Sequence, residues 1–372
     1  MREAEEMPLH EIEFGWLEGN ARVRSDDPAF ASIVRRLWAG VPASGGSFRE
    51  YAVTLGGDDG PVFVGPSGAQ PLDRRHPAWH AYNLLMRDLL GSVGSHFVFH
   101  ASALGSGGRS MLLAGPSNFG KTTLAVHLAF HGYSLLADDL AVVQRGTGRL
   151  LPLPRSLNLR RGSRATLDPA QLDALARAAR ASGSEEWAVD PEALRAPEAE
   201  PSRVAAVVLL RSEGDGVSIR RFRSHEVFLL EGHESAAEEL RGLPGVRRAL
   251  AETASPGRVR VDVEDAAPLT RWLREHQEIV VAAIKLPDRA PDFSKRSRAV
   301  PVGPFQAGME LAQEMLNRQD GGRLAEEFQG RETHLVAEIA GLLEEARCLA
   351  LWPGRPEETL RLLSGILEAP GP

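Results

Sequence analysis

Residues 109–132, RSMLLAGPSNFGKTTLAVHLAFHG, constrain this chain more than any other stretch. The run RSMLLAG reads as a short buried strand, and KTTLAVHLAFHG as a helix with Leu124, Ala125, Leu128 and Ala129 on one face. Gly132 can supply the left-handed residue that ends it. Between strand and helix lies a turn framed by Gly115 and Gly120 and followed at once by Lys121 and Thr122. A strand passing through such a turn straight into a helix belongs to an α/β sheet. Backbone N–H groups, the helix N-terminus and one ammonium then converge on a single point, which suits an anion.

Composition sharpens this reading. The chain has 372 residues and 43 basic ones, of which only Lys121, Lys285 and Lys295 are lysine. Arginine serves most surface roles, but its broad planar fork fits poorly between phosphates, where a compact ammonium fits well. Chance assembly of the whole pattern is on the order of one per cent or less at ordinary glycine usage. The expectation is a phosphate loop for ATP and Mg²⁺. The backbone of Gly115, Pro116, Ser117, Asn118, Phe119 and Gly120, with Thr123 beyond, surrounds the phosphates. Lys121 reaches the β/γ oxygens, and the Thr122 hydroxyl ligates the metal.

Two neighbouring features extend the site. The segment YSLLADDLAVVQ ends an apolar run in Asp138 and Asp139. An Asp-Asp pair is ordinary turn chemistry. Directly after the loop's helix, however, a second strand, parallel to the first and expected to lie beside it, brings the pair to the phosphate edge of the sheet. One carboxylate can hold Mg²⁺ there and the other can take a proton from an attacking hydroxyl, with the assignment open between them. Upstream, HFVFHASALGSGGRSMLL reads as a hairpin about GSGG whose second strand feeds the loop. His96 and His100 share one face of it, and His100 is close enough in sequence to tune a carboxylate. Arg155, Arg160 and Arg161 are candidates to approach a transferring phosphoryl group or an acidic substrate.

The remaining sequence bounds the class. Net charge is -7 with the basic residues dispersed, which points away from nucleic acid. No stretch approaches about 18 uninterrupted apolar residues, so no membrane partner is expected. The acidic start MREAEEMPLHEIEF lacks the form of a secretory signal, giving a cytoplasmic address. The single cysteine, Cys348, excludes an internal disulfide framework and falls in a helical pattern as buried filler. Three domains are expected: a small α+β domain over 1–90, a strand-rich domain carrying the loop over 91–290, and a helical extension over 300–372. The polar, proline-rich 287–304 reads as the linker before that extension. RVAAVVLLR (203–211) and GVSIRRF (216–222) read as a strand pair closing the sheet, and 183–202 as a loop able to cover the site. Helical stripes in the extension read as core packing. A docking role for these helices and assembly into a homo-oligomer stay open.

His100, GPSNFGKTT and HGYSLLADD together resemble the HPr serine kinase/phosphorylase family and its HPr-kinase-related relatives. That family carries a histidine ahead of a G-x-S-x-x-G-K-[ST] loop and then R-G-x-x-L-[IVL]-A-D-D after the loop's helix. The intervals match as well, 21 residues from His100 to Lys121 and 18 from Lys121 to Asp139. The resemblance is close over about 96–165 and thin elsewhere. Asn118, Phe119 and Thr123 depart from the loop of the bifunctional enzymes, which points away from HPr itself as substrate and from phosphorylase activity. The resemblance implies an α/β P-loop kinase core of the HPr kinase / phosphoenolpyruvate carboxykinase type, acting on a Ser/Thr hydroxyl of a protein or tailored peptide. It assigns Asp139 as proton acceptor, Asp138 to the metal side, and His100 to a supporting role. The contrasting readings are an ATP-dependent regulatory switch or assembly protein without transfer, and a kinase of a small-molecule hydroxyl. On each reading Lys121→Ala is expected to abolish Mg·ATP binding or all transfer while leaving the circular-dichroism spectrum unchanged; undiminished phosphorylation by the variant would overturn the loop assignment.

Overall fold

The computed structural model describes residues 9–55, 60–182, 186–194, 202–212, 224–230, 232–233, 235–251, 257–286, 291–318 and 322–368. It is a mixed α/β protein with several sheets. The chain divides into two compact units, Met1–Leu89 with Phe222–Asp288, and Leu90–Arg221 with Arg289–Pro372. This differs from the three consecutive domains that the sequence suggests.

In the first unit, strands His10–Trp16 and Gly19–Ser25 form a hairpin, and helix Pro28–Trp38 crosses over to Phe48–Thr54, which pairs parallel to the second strand. Val62–Gly65 and Gly68–Pro71 complete the five-stranded sheet. The helix starts where Asp27 accepts from the Ala29 N–H and Pro28 takes the first turn. Its apolar face delivers Trp38 onto Phe14, rings stacked at 4.8 Å. The four strands of 224–286 form a separate antiparallel sheet and are not part of the loop-bearing one. They belong with the N-terminal segment because Trp79 packs edge-on against Phe228 at 5.4 Å and the Arg75 guanidinium donates to the Leu229 carbonyl at 2.9 Å.

The second unit is built on a nine-stranded sheet. Its middle is the strand Ser202–Leu210, flanked by Arg109–Ala114 and Arg347–Trp352, both parallel to it. Met111, Leu113, Ala206, Val208 and Leu210 share one core with Leu124 and Leu128 of helix Lys121–Phe130 and with Leu363 and Leu367 of helix Pro356–Glu368. Residues of the other parity, Leu112, Val207 and Leu209, are equally buried. A parallel sheet hidden on both faces reads as continuous apolar runs, as these strands do.

The C-terminal part is therefore not a helical appendage. The strand Arg347–Trp352 and its partner Arg298–Pro301, inside the expected linker, extend the main sheet. Cys348 lies in that strand, buried, and burial pushes its thiol up to about 12. β-branched residues are scarce in RCLALW, so the local pattern favours a helix, and pairing with a fully apolar neighbour overrides it. Arg145 fixes the region further by ion pairs with Glu327 at 2.6 Å and Glu338 at 2.7 Å. Of the other expectations, the hairpin turns at Gly107 and Gly108. Asp168 caps helix Pro169–Arg177 in a reciprocal box with Gln171. Strand Glu186–Val189 occupies part of the expected covering loop, while GVSIRRF lies outside the described residues. Among the described residues, no helix is long and apolar enough to cross a membrane. Because Leu351 is fully buried in the main sheet, Leu351→Ala is expected to lower unfolding free energy by about 2–5 kcal/mol, read as a shifted urea midpoint; an unchanged midpoint would restore the appended-helix reading.

Candidate functional site

The loop at the end of strand Arg109–Ala114 is shaped by three unusual backbone positions. At Gly115 a Cβ would stand 3.0 Å from the Leu210 Cβ, tighter than most side-chain contacts, so glycine eases the approach of the neighbouring strand. Asn118 and Gly120 then take left-handed conformations, φ 66 and 82; asparagine is among the few side-chain-bearing residues that tolerate this region. Gly120 precedes the first turn of helix Lys121–Phe130, and Phe293 lies over it. The Lys121 ammonium is buried and donates to the carbonyls of Gly115 at 2.8 Å and Pro116 at 3.0 Å.

The two aspartates differ sharply in setting. Strand Ser134–Ala137 does not lie beside Arg109–Ala114 as expected, because Ala101–Ser106 runs between them, antiparallel to both. The two outer strands are thus parallel to each other and end on the same edge of the sheet. Asp138 is buried there and accepts from Ser102 Oγ at 2.5 Å and from Thr122 Oγ1 at 3.0 and 3.1 Å. Desolvation, with the adjacent Asp139 charge, pushes its carboxyl up to about 6 against the pull of Ser102, Thr122 and Lys121. Asp139 takes the left-handed conformation, φ 62, directly after the strand. Burial acts to raise its carboxyl, but the positive field of His100, Lys121, Arg155 and Arg160 prevails and holds it below the usual range. Its side chain keeps 42% of its surface accessible because it opens into a cavity, while its other sides face protein.

That cavity, about 560 Å³, is of a size that holds a small-molecule ligand. Ser117, Asn118, Gly120, Lys121, Thr122 and Thr123 line it from the loop, and His100, Asp139 and Arg160 from other segments. Gly115, Pro116, Phe119 and Asp138 are buried beneath this lining. Proline has no N–H to give, and the Phe119 ring belongs to the core of the sheet. Thr123 is occupied with Ser163, Oγ to Oγ at 2.7 Å. The chain breaks between strands His96–Phe99 and Ala101–Ser106, which throws His100 toward the cavity. His96 is buried away from this lining beside Ser95. Of the arginine candidates, Arg160 reaches Asn118 Oδ1 at 2.5 Å, Arg155 contributes field at Asp139, and Arg161 faces a different groove.

Among the described residues, no group of three or more His, Cys, Asp or Glu side chains could hold a metal by itself. Thr122 and the adjoining carboxylates instead form a partial site, the kind Mg²⁺ completes with phosphate oxygens and water. The Thr122 hydroxyl gives its proton to Asp138 and keeps lone pairs for a metal. The glycine cradle and buried ammonium likewise fit a polyphosphate. Sequence reasoning missed Ser102, Phe293 and Glu314. Ser102 was findable, two residues after His100 and so on its face of an extended chain. The other two are far from the loop in sequence and carry no local signal. No model of a known family matches the chain, and no curated protein matches it either.

A carboxyl whose folded-state value exceeds its ordinary 3.8 is destabilising once ionised. The folded state holds this proton more tightly than the unfolded chain, so Asp138 opposes folding above about pH 6, and that penalty disappears as pH falls toward 3.8. Asp138→Asn is accordingly expected to stabilise the ligand-free protein at pH 7 by about 1–3 kcal/mol. The gain should vanish near pH 4. Calorimetry showing a lower midpoint for the variant at pH 7 would contradict this account.

Proposed function

We propose that this chain is an ATP-dependent kinase, HPr kinase-like, that transfers the γ-phosphate to a Ser/Thr hydroxyl of a protein or tailored peptide. On this reading the second unit is a P-loop kinase core of the HPr kinase / phosphoenolpyruvate carboxykinase type. The observation that carries the proposal is one cavity lined by both Lys121 and Asp139, with Asp138 gripping Thr122 directly behind. A site built only to hold nucleotide needs the loop and one metal carboxylate. A second carboxylate, facing the open space with a histidine against it, is the extra part that transfer requires.

The roles follow from position. Loop amides and the Lys121 ammonium bind and neutralise the β/γ-phosphates. Thr122 and Asp138 hold the metal side. Mg²⁺, when bound, supplies charge neutralisation of the β- and γ-oxygens. Asp139 orients the acceptor hydroxyl and receives its proton as that oxygen bonds to the γ-phosphorus and the bridging P–O bond to ADP breaks. A carboxylate with a depressed pKa is a weak base, but phosphoryl transfer asks more of positioning and charge than of proton affinity. Arg160, tied to Asn118, stands where it can meet an acidic group on the acceptor.

Asp139→Asn keeps size and most hydrogen bonds but cannot take the proton. ATP affinity is expected to stay near wild type while the rate with labelled ATP and candidate peptides falls by roughly 10²–10⁴. Full activity in this variant refutes the base assignment. A wild type that binds ATP and phosphorylates none of the peptides would make the assembly switch the better account.

A further inference from the structure

Both ring nitrogens of His100 face carboxylates. Nε2 is 3.7 Å from Asp139 Oδ1, and Nδ1 is 3.5 Å from Glu314 Oε2. The main chain repeats the second link, since the His100 N–H donates to the Glu314 carbonyl at 2.7 Å. Glu314 caps helix Pro304–Gln313, and its side chain is only 8% exposed. One turn earlier on that helix Glu310 is buried against the fully buried Arg211, which follows the central strand Ser202–Leu210. Two glutamates thus tie one helix to two points on the sheet: Glu310 to the end of its central strand, and Glu314 to the break that carries His100.

Burying a carboxylate costs free energy unless it is paired. Glu310 has a permanent cation as its partner, so its place is explained by anchoring the helix. Glu314 faces His100, which lines the cavity where Asp139 also feels the charges of Lys121, Arg155 and Arg160. We infer that Glu314 is a positioning residue for the transfer reaction, holding the Nδ1 side of His100 so that Nε2 stays turned to the Asp139 carboxylate and keeps it aimed at the acceptor hydroxyl. The inference rests on the kinase reading for its purpose, but its geometry stands without it. A base oriented by a third group through a ring nitrogen is the general arrangement of activated sites, and outer partners of this kind commonly govern about 10–100-fold of activity.

The test uses the full chain. Ring-nitrogen NMR of the labelled wild type, with His100 assigned by loss of its signals in His100→Gln, should show a protonated Nδ1. Glu314→Gln keeps shape but removes charge; the His100 Nδ1 signal should move from its wild-type position, because the acceptor that fixes that proton is weakened. With a peptide substrate, kcat should fall roughly 10–100-fold while KM for ATP changes less than about twofold, the mark of an interaction outside ground-state nucleotide binding. An unprotonated Nδ1 in wild type overturns the inference, and this measurement does not depend on the variant folding. Unchanged ring signals in Glu314→Gln, or an unchanged kcat, overturn it too. Absence of any transfer by wild type would sink the kinase reading instead, and the ring signals would still decide whether Glu314 positions His100.

Discussion

The buried ammonium of Lys121 sets the terms for the whole second unit. A charge removed from water must be met by dipoles and opposite charges held at fixed distances. Carbonyls of Gly115 and Pro116 provide the first, at 2.8 and 3.0 Å. Asp138 and Asp139 provide the second, and both feel the Lys121 field. These groups reside on separate segments, so they can meet only if the strands Arg109–Ala114 and Ser134–Ala137 end on one edge of one sheet. The close contact of Gly115 with Leu210 is part of the same requirement, since it seats the loop against the central strand.

Local conformational and electrostatic cost is concentrated at that edge. Asn118 and Asp139 are the two non-glycine residues with positive φ among those described, and Asp138 carries a carboxyl raised by burial. Sparsely populated backbone states persist only where surrounding structure over-determines them, and they gather at functional sites. Here the over-determination is visible: Ser102 and Thr122 both donate to Asp138, and His100 stands against Asp139. Rigidity is obtained from the apolar core beneath, in which Phe119 and Leu124 pack with Met111 and Val208.

The C-terminal segment changes character once its contacts are seen. It contributes the strand Arg347–Trp352 to the main sheet, Phe293 over Gly120, and Glu314 behind His100. Helix Pro356–Glu368 packs into the same core as the loop's own helix. A site assembled from both ends of a unit in this way is coupled to the folding of the whole unit. Loosening the distant strand would be felt at the cavity through the shared core, which is close-packed and transmits strain.

The loop, its strand and helix, the hairpin at Gly107 and Gly108 and the Asp138–Asp139 turn were all legible in the sequence, because each depends on residues within one or two turns of chain. Glycine spacing, apolar periodicity and capping chemistry act locally and leave a local trace. What escaped was decided over distance. RCLALW reads as helix and becomes strand because an apolar neighbour needs a partner along its open edge. Residues 224–286 continue the chain after the central strand, yet build their own sheet and pack on the N-terminal segment through contacts such as Trp79 with Phe228. Strand order is equally invisible locally: the insertion of Ala101–Ser106 between two parallel strands follows from the hairpin's being shared by both. The sequence by itself determined a glycine-framed loop between strand and helix, its lysine and the chemical groups beside it. Only the tertiary structure decided that Asp139 opens to the cavity while Asp138 is buried behind Thr122, and that Glu314 completes the set, because burial and distance are properties of packed surfaces rather than of neighbours in the chain.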